Sequence, residues 1–374
     1  MADFLTKGTM KKLGFGLMRL PQNEDRSINI EESKRMVDHF MEKGFTYFDT
    51  AYVYEGSEDA TREILTSRYP RESYQLVSKF PVSMYQPGLD LEKIFQTSLD
   101  RCGVEYFDLY LLHSLGAHNV QKAEDGGIWD YFKKLKEEGR IRHIGFSFHD
   151  NAELLEDILK KHPETEAVQL QINYLDWEDD EVQARKCYEV CAKYQKPVIV
   201  MEPIKGGSLA TLTPELRDML HQINPDASPA SWAMRYACGL DNVLVALSGM
   251  STYEQVVDNC SYLSEVKPLT EEEEAVVRDV TDKIHALPFI PCTQCAYCVA
   301  GCPKKIHIPI FMGALNTTLV FDNKHGSLNS YSYGCSLGGK PADCIGCGKC
   351  VPICPQHLDI PGYMKKAAEI YADC

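Results

Sequence analysis

Positive charge is scarce in this chain of 374 residues, where 39 lysines and arginines face 54 aspartates and glutamates for a formal net charge of −15. No lysine or arginine cluster offsets the deficit, so nucleic acid and anionic membrane surfaces are not expected as partners. Long apolar runs are missing as well. Nothing approaches the roughly 20 residues that span a bilayer, and residues 1–7 carry no apolar core of signal-peptide length. A cytoplasmic protein is expected, in a compartment where thiols stay reduced and free to bind metal. The Gly-rich first turn of an open dinucleotide-binding sheet is a third absence. The acidic run at 271–274 has a plain reading, with Thr270 capping a helix whose acidic first turn suits the helix dipole.

Cysteine is plentiful and unevenly placed, with ten of fifteen lying after residue 290. Eight of those ten make two copies of one pattern, Cys292-x2-Cys295-x2-Cys298-x3-Cys302-Pro303 and Cys344-x2-Cys347-x2-Cys350-x3-Cys354-Pro355. Three cysteines at steps of three wrap a chain around one corner of a cube, and a fourth before proline leaves the loop to serve a cluster further off. The 52-residue shift that relates the copies also lays Ile308-Pro309-x-Phe311-Met312 onto Ile360-Pro361-x-Tyr363-Met364. Each unit is thus a cysteine loop followed by a helix started by proline.

These runs resemble the bacterial ferredoxins. The resemblance implies two [4Fe–4S] clusters, with the fourth cysteine of each run serving the partner: Cys292, Cys295, Cys298 and Cys354 on one, and Cys344, Cys347, Cys350 and Cys302 on the other. The 41 residues at 303–343 are long for the compact β-type, and 310–322 read as helix, so the similarity is closer to the α-helical dicluster domain. Zinc ribbons are the alternative, but those call for paired Cys-x2-Cys knuckles and not four-cysteine runs ending in Cys-Pro.

In the first 285 residues, short β-rich apolar runs alternate with amphipathic stretches. Strands are expected near 14–18, 45–48, 74–78, 109–112, 144–148, 168–171, 198–201 and 243–247, and helices at 31–43, 91–102, 128–138, 152–160, 178–194 and 271–285. Eight such alternations argue an α/β fold, a parallel sheet closed as a (β/α)8 TIM barrel. We therefore expect a barrel over residues 1–285 and a mainly α-helical dicluster ferredoxin-like domain over 286–374.

Barrel enzymes keep their chemistry at the carboxyl ends of the strands. Asp49, Lys79 and His113 lie there, with Tyr54 five residues beyond Asp49. Each alone has a bland reading, as a cap, a solvated lysine or a hydrogen-bonded core histidine. Together they are chemically coherent. A phenol with a pKa of about 10 is a slow proton donor unless a neighbouring cation favours its ionised form, and Lys79 can be that cation. Asp49 would hold the ammonium and His113 would orient a carbonyl oxygen, which describes carbonyl reduction with Tyr54 supplying the proton.

Asp49-Thr50-Ala51-x-x-Tyr54, Val77-Ser78-Lys79, Leu111-Leu112-His113 and Gly139-Arg140-Ile141-Arg142-x-Ile144-Gly145-x-Ser147 resemble the aldo-keto reductase family over roughly residues 10–265. The resemblance implies NADPH or NADH over the barrel mouth. Ser147 and Gln169 would hold the carboxamide. Lys205, Gly206 and Gly207 would line the pyrophosphate, and Ser248, Gly249, Ser251, Gln255 and Asn259 would bind the adenosine half at a helix start. Departures are Met201 where many members stack a tyrosine, Phe148 for Asn, Gln255 for an arginine aimed at a 2′-phosphate, and Glu55 between Tyr54 and Gly56.

A small carbonyl or alcohol is the expected substrate. Hydride carries two electrons and a cubane cluster one, so the clusters are structural, or a flavin splits the pair, or single electrons reach the substrate. No flavin signature is present, and an external ferredoxin or flavodoxin is the partner such clusters suggest. The alternative function is an electron-transfer or regulatory protein whose barrel binds nucleotide, or flavin, without carbonyl turnover. Cys102, Cys187, Cys191, Cys238 and Cys260 read as packing, Cys335 as a candidate spare ligand, and Cys374 as a terminal free thiol.

Overall fold

A computed structural model describes the chain apart from residues 1–3, 7, 26, 181, 322, 323 and 374. Cys374, and the residue 322 end of the expected helix, lie outside the described residues. Eight strands, β1 (Leu13–Gly16), β2 (Tyr47–Asp49), β3 (Gln75–Phe80), β4 (Phe107–Leu115), β5 (Ile141–Phe148), β6 (Ala167–Gln171), β7 (Val198–Met201) and β8 (Val243–Ser248), close into a barrel in chain order. Every pairing is parallel, and β1 closes on β8 through Gly14 opposite Leu247.

The strands are covered on both faces, which is why their sequences read as apolar runs and not as alternations. In β4, Phe-Asp-Leu-Tyr-Leu-Leu-His-Ser-Leu is buried at every position but Ser114. Tyr47, Val77, Leu109, Leu111, Ile199 and Val245 fill the interior, with Phe4 packed against the same cluster. A Cβ on Gly145 would lie 2.5 Å from the Ala167 carbonyl oxygen and 2.8 Å from Leu111, so only glycine lets β5 approach β6 this closely.

By compactness the chain divides into one unit of Met1–Pro203 with Ala230–Thr270 and another of Ile204–Pro229 with Glu271–Cys374. The 204–229 segment falls with the C-terminal residues because its helix Pro214–Ile223 packs on the helix Glu271–His285, where Lys283 pairs with Glu215 at 2.7 Å. The second unit also holds the helices Ile308–Phe321, Lys324–Leu337 and Ile360–Ile370. Its core gathers Ile290, Phe311, Met312, Leu315, Met364 and Tyr371. Tyr331 stacks on Tyr371 at 4.4 Å, and the Tyr371 hydroxyl donates to the Ala314 carbonyl at 2.9 Å. Among the described residues no helix is long and apolar enough to cross a membrane.

Candidate active site and cluster ligands

Asp49 ends β2, Lys79 is the penultimate residue of β3, His113 lies near the end of β4, and Tyr54 stands in the loop after β2. Adjacent parallel strands thus bring the four to one rim. The Lys79 ammonium is fully buried; it donates to Asp49 Oδ1 and to the Thr50 carbonyl at 2.7 Å, and stands 3.5 Å from the Tyr54 hydroxyl. Asp49 is fixed from across the barrel, where Gln169 donates to its second oxygen at 3.1 Å. The His113 ring meets Tyr54 edge-on at 5.7 Å between centroids.

Local chain geometry sets His113. The β4–β5 register shifts between Leu112 and Leu115, and Ser114 takes a left-handed φ of 56°. Such a bulge re-aims the side chains beside it. Its Ser114 N–H donates to the Ser147 hydroxyl at 2.7 Å, and Asn119 donates to the Ser114 carbonyl at 3.0 Å.

Burial dominates the electrostatics. It pushes the Asp49 carboxyl up and the Lys79 ammonium down, and their mutual attraction opposes both shifts. Burial, then the charge of Lys79 and that of His149, holds His113 well below its usual range, so its imidazole is neutral at physiological pH. One residue was not foreseen from the sequence. Glu58, 1 % exposed, accepts from Ser78 at 2.7 Å and meets Arg101 at 3.4 Å, and its charge supports the protonated Lys79. Its only signal was an acid four residues beyond Tyr54; the long-range partner Arg101 leaves no mark in a single sequence.

The residues expected around the nucleotide fall into three places. Ser147 and Gln169 lie with the four above. Ser248 ends β8, Gly249 and Ser251 lead into the helix Tyr253–Leu263, and that helix carries Gln255 and Asn259; Asn259 donates to Ser248 at 2.8 Å and Gln255 accepts from the Ser251 N–H at 2.7 Å. Lys205, Gly206 and Gly207 belong to the second unit, and there Lys205 donates to Gln356 at 2.6 Å.

The cysteine loops repeat in backbone as well as sequence. Gln294, Ala296 and Lys305 take left-handed φ values of 57°, 63° and 54°, and 52 residues on Gly346, Gly348 and His357 take 65°, 70° and 49°. Cys302, Cys344, Cys347 and Cys350 line one cavity, floored by Ile306, Ile308, Ile360 and Met364. Burial raises the Cys298 thiol, and nearby Cys295, Cys292, Cys354 and Cys350 raise it further. Cys302, which precedes Pro303 in the first run, thus shares a cavity with three cysteines of the second run, and Cys298 has thiols of both runs nearby. Among the described residues no three His, Cys, Asp or Glu side chains converge on a single metal ion. Two four-cysteine runs, with four of the thiols lining one cavity, supply the donor set that a pair of cubanes would need. Cys102, Cys187, Cys191, Cys238 and Cys260 are buried, and Cys335 is half-buried against the second core.

The chain belongs to the Aldo/keto reductase family, whose model matches residues 12–282, and a 4Fe-4S dicluster domain matches residues 291–359. A probable aldo-keto reductase 1 of Glycine max is 31 % identical over 150 residues, covering 37 % of this chain and 41 % of its own. An aldo-keto reductase of Mycobacterium avium is 28 % identical over 255 residues, 67 % of this chain and 79 % of its own. The match thus spans less than half of the soybean protein. An aldo-keto reductase of Klebsiella pneumoniae in complex with NADPH shares the fold with a TM-score of 0.59 at 21 % identity, over 73 % of this chain and 91 % of its own.

Proposed function

We propose that the protein is an oxidoreductase of aldo-keto reductase type that reduces a small carbonyl, or oxidises the matching alcohol, in a chain that also holds two [4Fe–4S] clusters. The buried Lys79 between Asp49 and the Tyr54 hydroxyl carries this reading. Bound NADPH or NADH would supply hydride, and the clusters single electrons. Tyr54 gives its proton to the developing alkoxide. Lys79 favours the phenolate left behind, Asp49 and Glu58 keep the lysine protonated, and neutral His113 donates an N–H to the carbonyl oxygen. Ser147 and Gln169 are proposed for the carboxamide, and Ser248, Gly249, Ser251, Gln255 and Asn259 for the adenosine half. Lys205, Gly206 and Gly207 were expected on the pyrophosphate. Lys205 is engaged with Gln356, so the nucleotide proposal rests on the residues of the first unit.

Cys292, Cys295, Cys298 and Cys354 are proposed to hold cluster I, and Cys302, Cys344, Cys347 and Cys350 cluster II, in a functional domain of residues 286–374 following a reductase domain of 1–285. Cys347 is exposed and Ile345 is 62 % exposed beside it, which supports exchange with an external ferredoxin or flavodoxin in the cytoplasm at cluster II. A flavin has no support in the residues. The test is turnover of a panel of small aldehydes and ketones by anaerobically prepared protein with NADPH or NADH. Reduction of at least one member is expected; tight nucleotide binding with no turnover would favour the non-enzymatic alternative.

A further inference from the structure

The two cysteine loops are related residue by residue, and the chain treats them differently at two equivalent positions. Thr293, next to Cys292, corresponds to Ile345, next to Cys344; Gln356, two beyond Cys354, corresponds to Lys304, two beyond Cys302. Ile345 and Lys304 are exposed, whereas Thr293 and Gln356 are 1 % and 7 % exposed. What covers them is the segment after β7. Lys205, only 2 % exposed, donates to Gln356 Oε1 at 2.6 Å. Gly206, with φ of 64°, runs so close to Thr293 that a Cβ would lie 2.5 Å from its carbonyl oxygen. Both contacts fall on segments that supply ligands of the same proposed cluster, Cys292 and Cys354.

We infer that Lys205 is a positioning residue for cluster I: Lys205 and Gly206 cover its two ligand segments, and the buried ammonium stabilises the reduced cluster. The inference rests on the proposed assignment of the eight cysteines. A thiolate-ligated cubane is anionic and gains a further negative charge on reduction, and its potential follows nearby charge, hydrogen bonding and solvent exposure. A cation held out of water acts on that charge with little screening. At cluster II the same positions leave Ile345 and Lys304 at the surface, so the coverage is particular to cluster I.

The experiment is a potentiometric EPR titration of the anaerobic full-length protein. Wild type should contain about eight iron and eight sulfide per chain; their absence would sink the cysteine assignment itself. With that content in hand, Lys205→Met should make one cluster harder to reduce by about tenfold in the reduced-to-oxidised ratio at fixed potential, equal to ~59 mV for one electron, and leave the other cluster alone. Lys205→Arg should restore the wild-type value. Two unmoved potentials, or an equal shift in both, would overturn the inference. Should Lys205→Met assemble without full iron, Gln356→Met is titrated in its place. It keeps the ammonium but releases it from the amide, and a smaller shift in one cluster supports the inference while unmoved potentials refute it.

Discussion

Lys79 is a charge taken wholly out of water, and the cost of keeping it there is met by Asp49, the Thr50 carbonyl and the field of Glu58. Removing one member of such a pair leaves the other uncompensated. Lys79→Met should therefore cost about 3–5 kcal/mol, read as a lowered urea midpoint, and the double variant Asp49→Asn/Lys79→Met should recover most of it. His113 makes a pH prediction. Its folded pKa is depressed, so below about 6.5 the unfolded chain takes up a proton that the native state refuses, and stability falls as pH drops from there toward the folded pKa. His113→Asn should flatten that part of the profile, as urea midpoints at pH 7 and pH 5.5 would show; an unchanged slope would contradict the burial argument.

Elements were legible where pattern and chemistry agree. The helices Leu91–Cys102 and Glu271–His285 and strand β7 fall where the sequence places them, and in Leu91–Cys102 the Asp90 and Gly103 caps mark both ends. The expected helix at 178–194 begins only at Ala184, because Asp176 and Asp179 hold turns that its first residues would have to unwind. The helix Lys324–Leu337 was not foreseen. Its glycines and serines argue against a helix, and Tyr331 packed between Phe311 and Tyr371 holds it in place, tertiary packing overriding propensity. The rim that gathers Asp49, Tyr54, Lys79 and His113 was readable because barrel topology converts strand ends into neighbours. The bulge at Ser114 and the Glu58–Arg101 pair were not, since each depends on distant partners. Close packing of β5 on β6 gives a prediction here: Gly145→Ala should cost about 1–3 kcal/mol in chemical denaturation, and a neutral result would mean the strands can separate freely.

Across the whole molecule, charge and compactness separate the parts. Residues 286–374 hold seven lysines against five acids, so the acidic excess lies entirely in the preceding residues. An acidic electron carrier docking on this net-positive part would be attracted to it, and its exchange rate should fall as salt rises. Cluster ligation folds small domains, so removing iron should loosen them. Because residues 204–229 group with the C-terminal unit, hydrogen exchange after chelation should rise in 204–229 together with 291–359 while the barrel strands stay protected. Protection of 204–229 that follows the barrel would contradict that grouping.

The central claim is that one phenol, activated by one buried ammonium, performs carbonyl reduction in this chain. Its most direct test is kcat for reduction of an aldehyde substrate by wild type and Tyr54→Phe, with nucleotide Kd measured alongside. A fall in kcat of about 10²–10⁴ at unchanged Kd is predicted, and equal turnover by the two proteins would contradict the account.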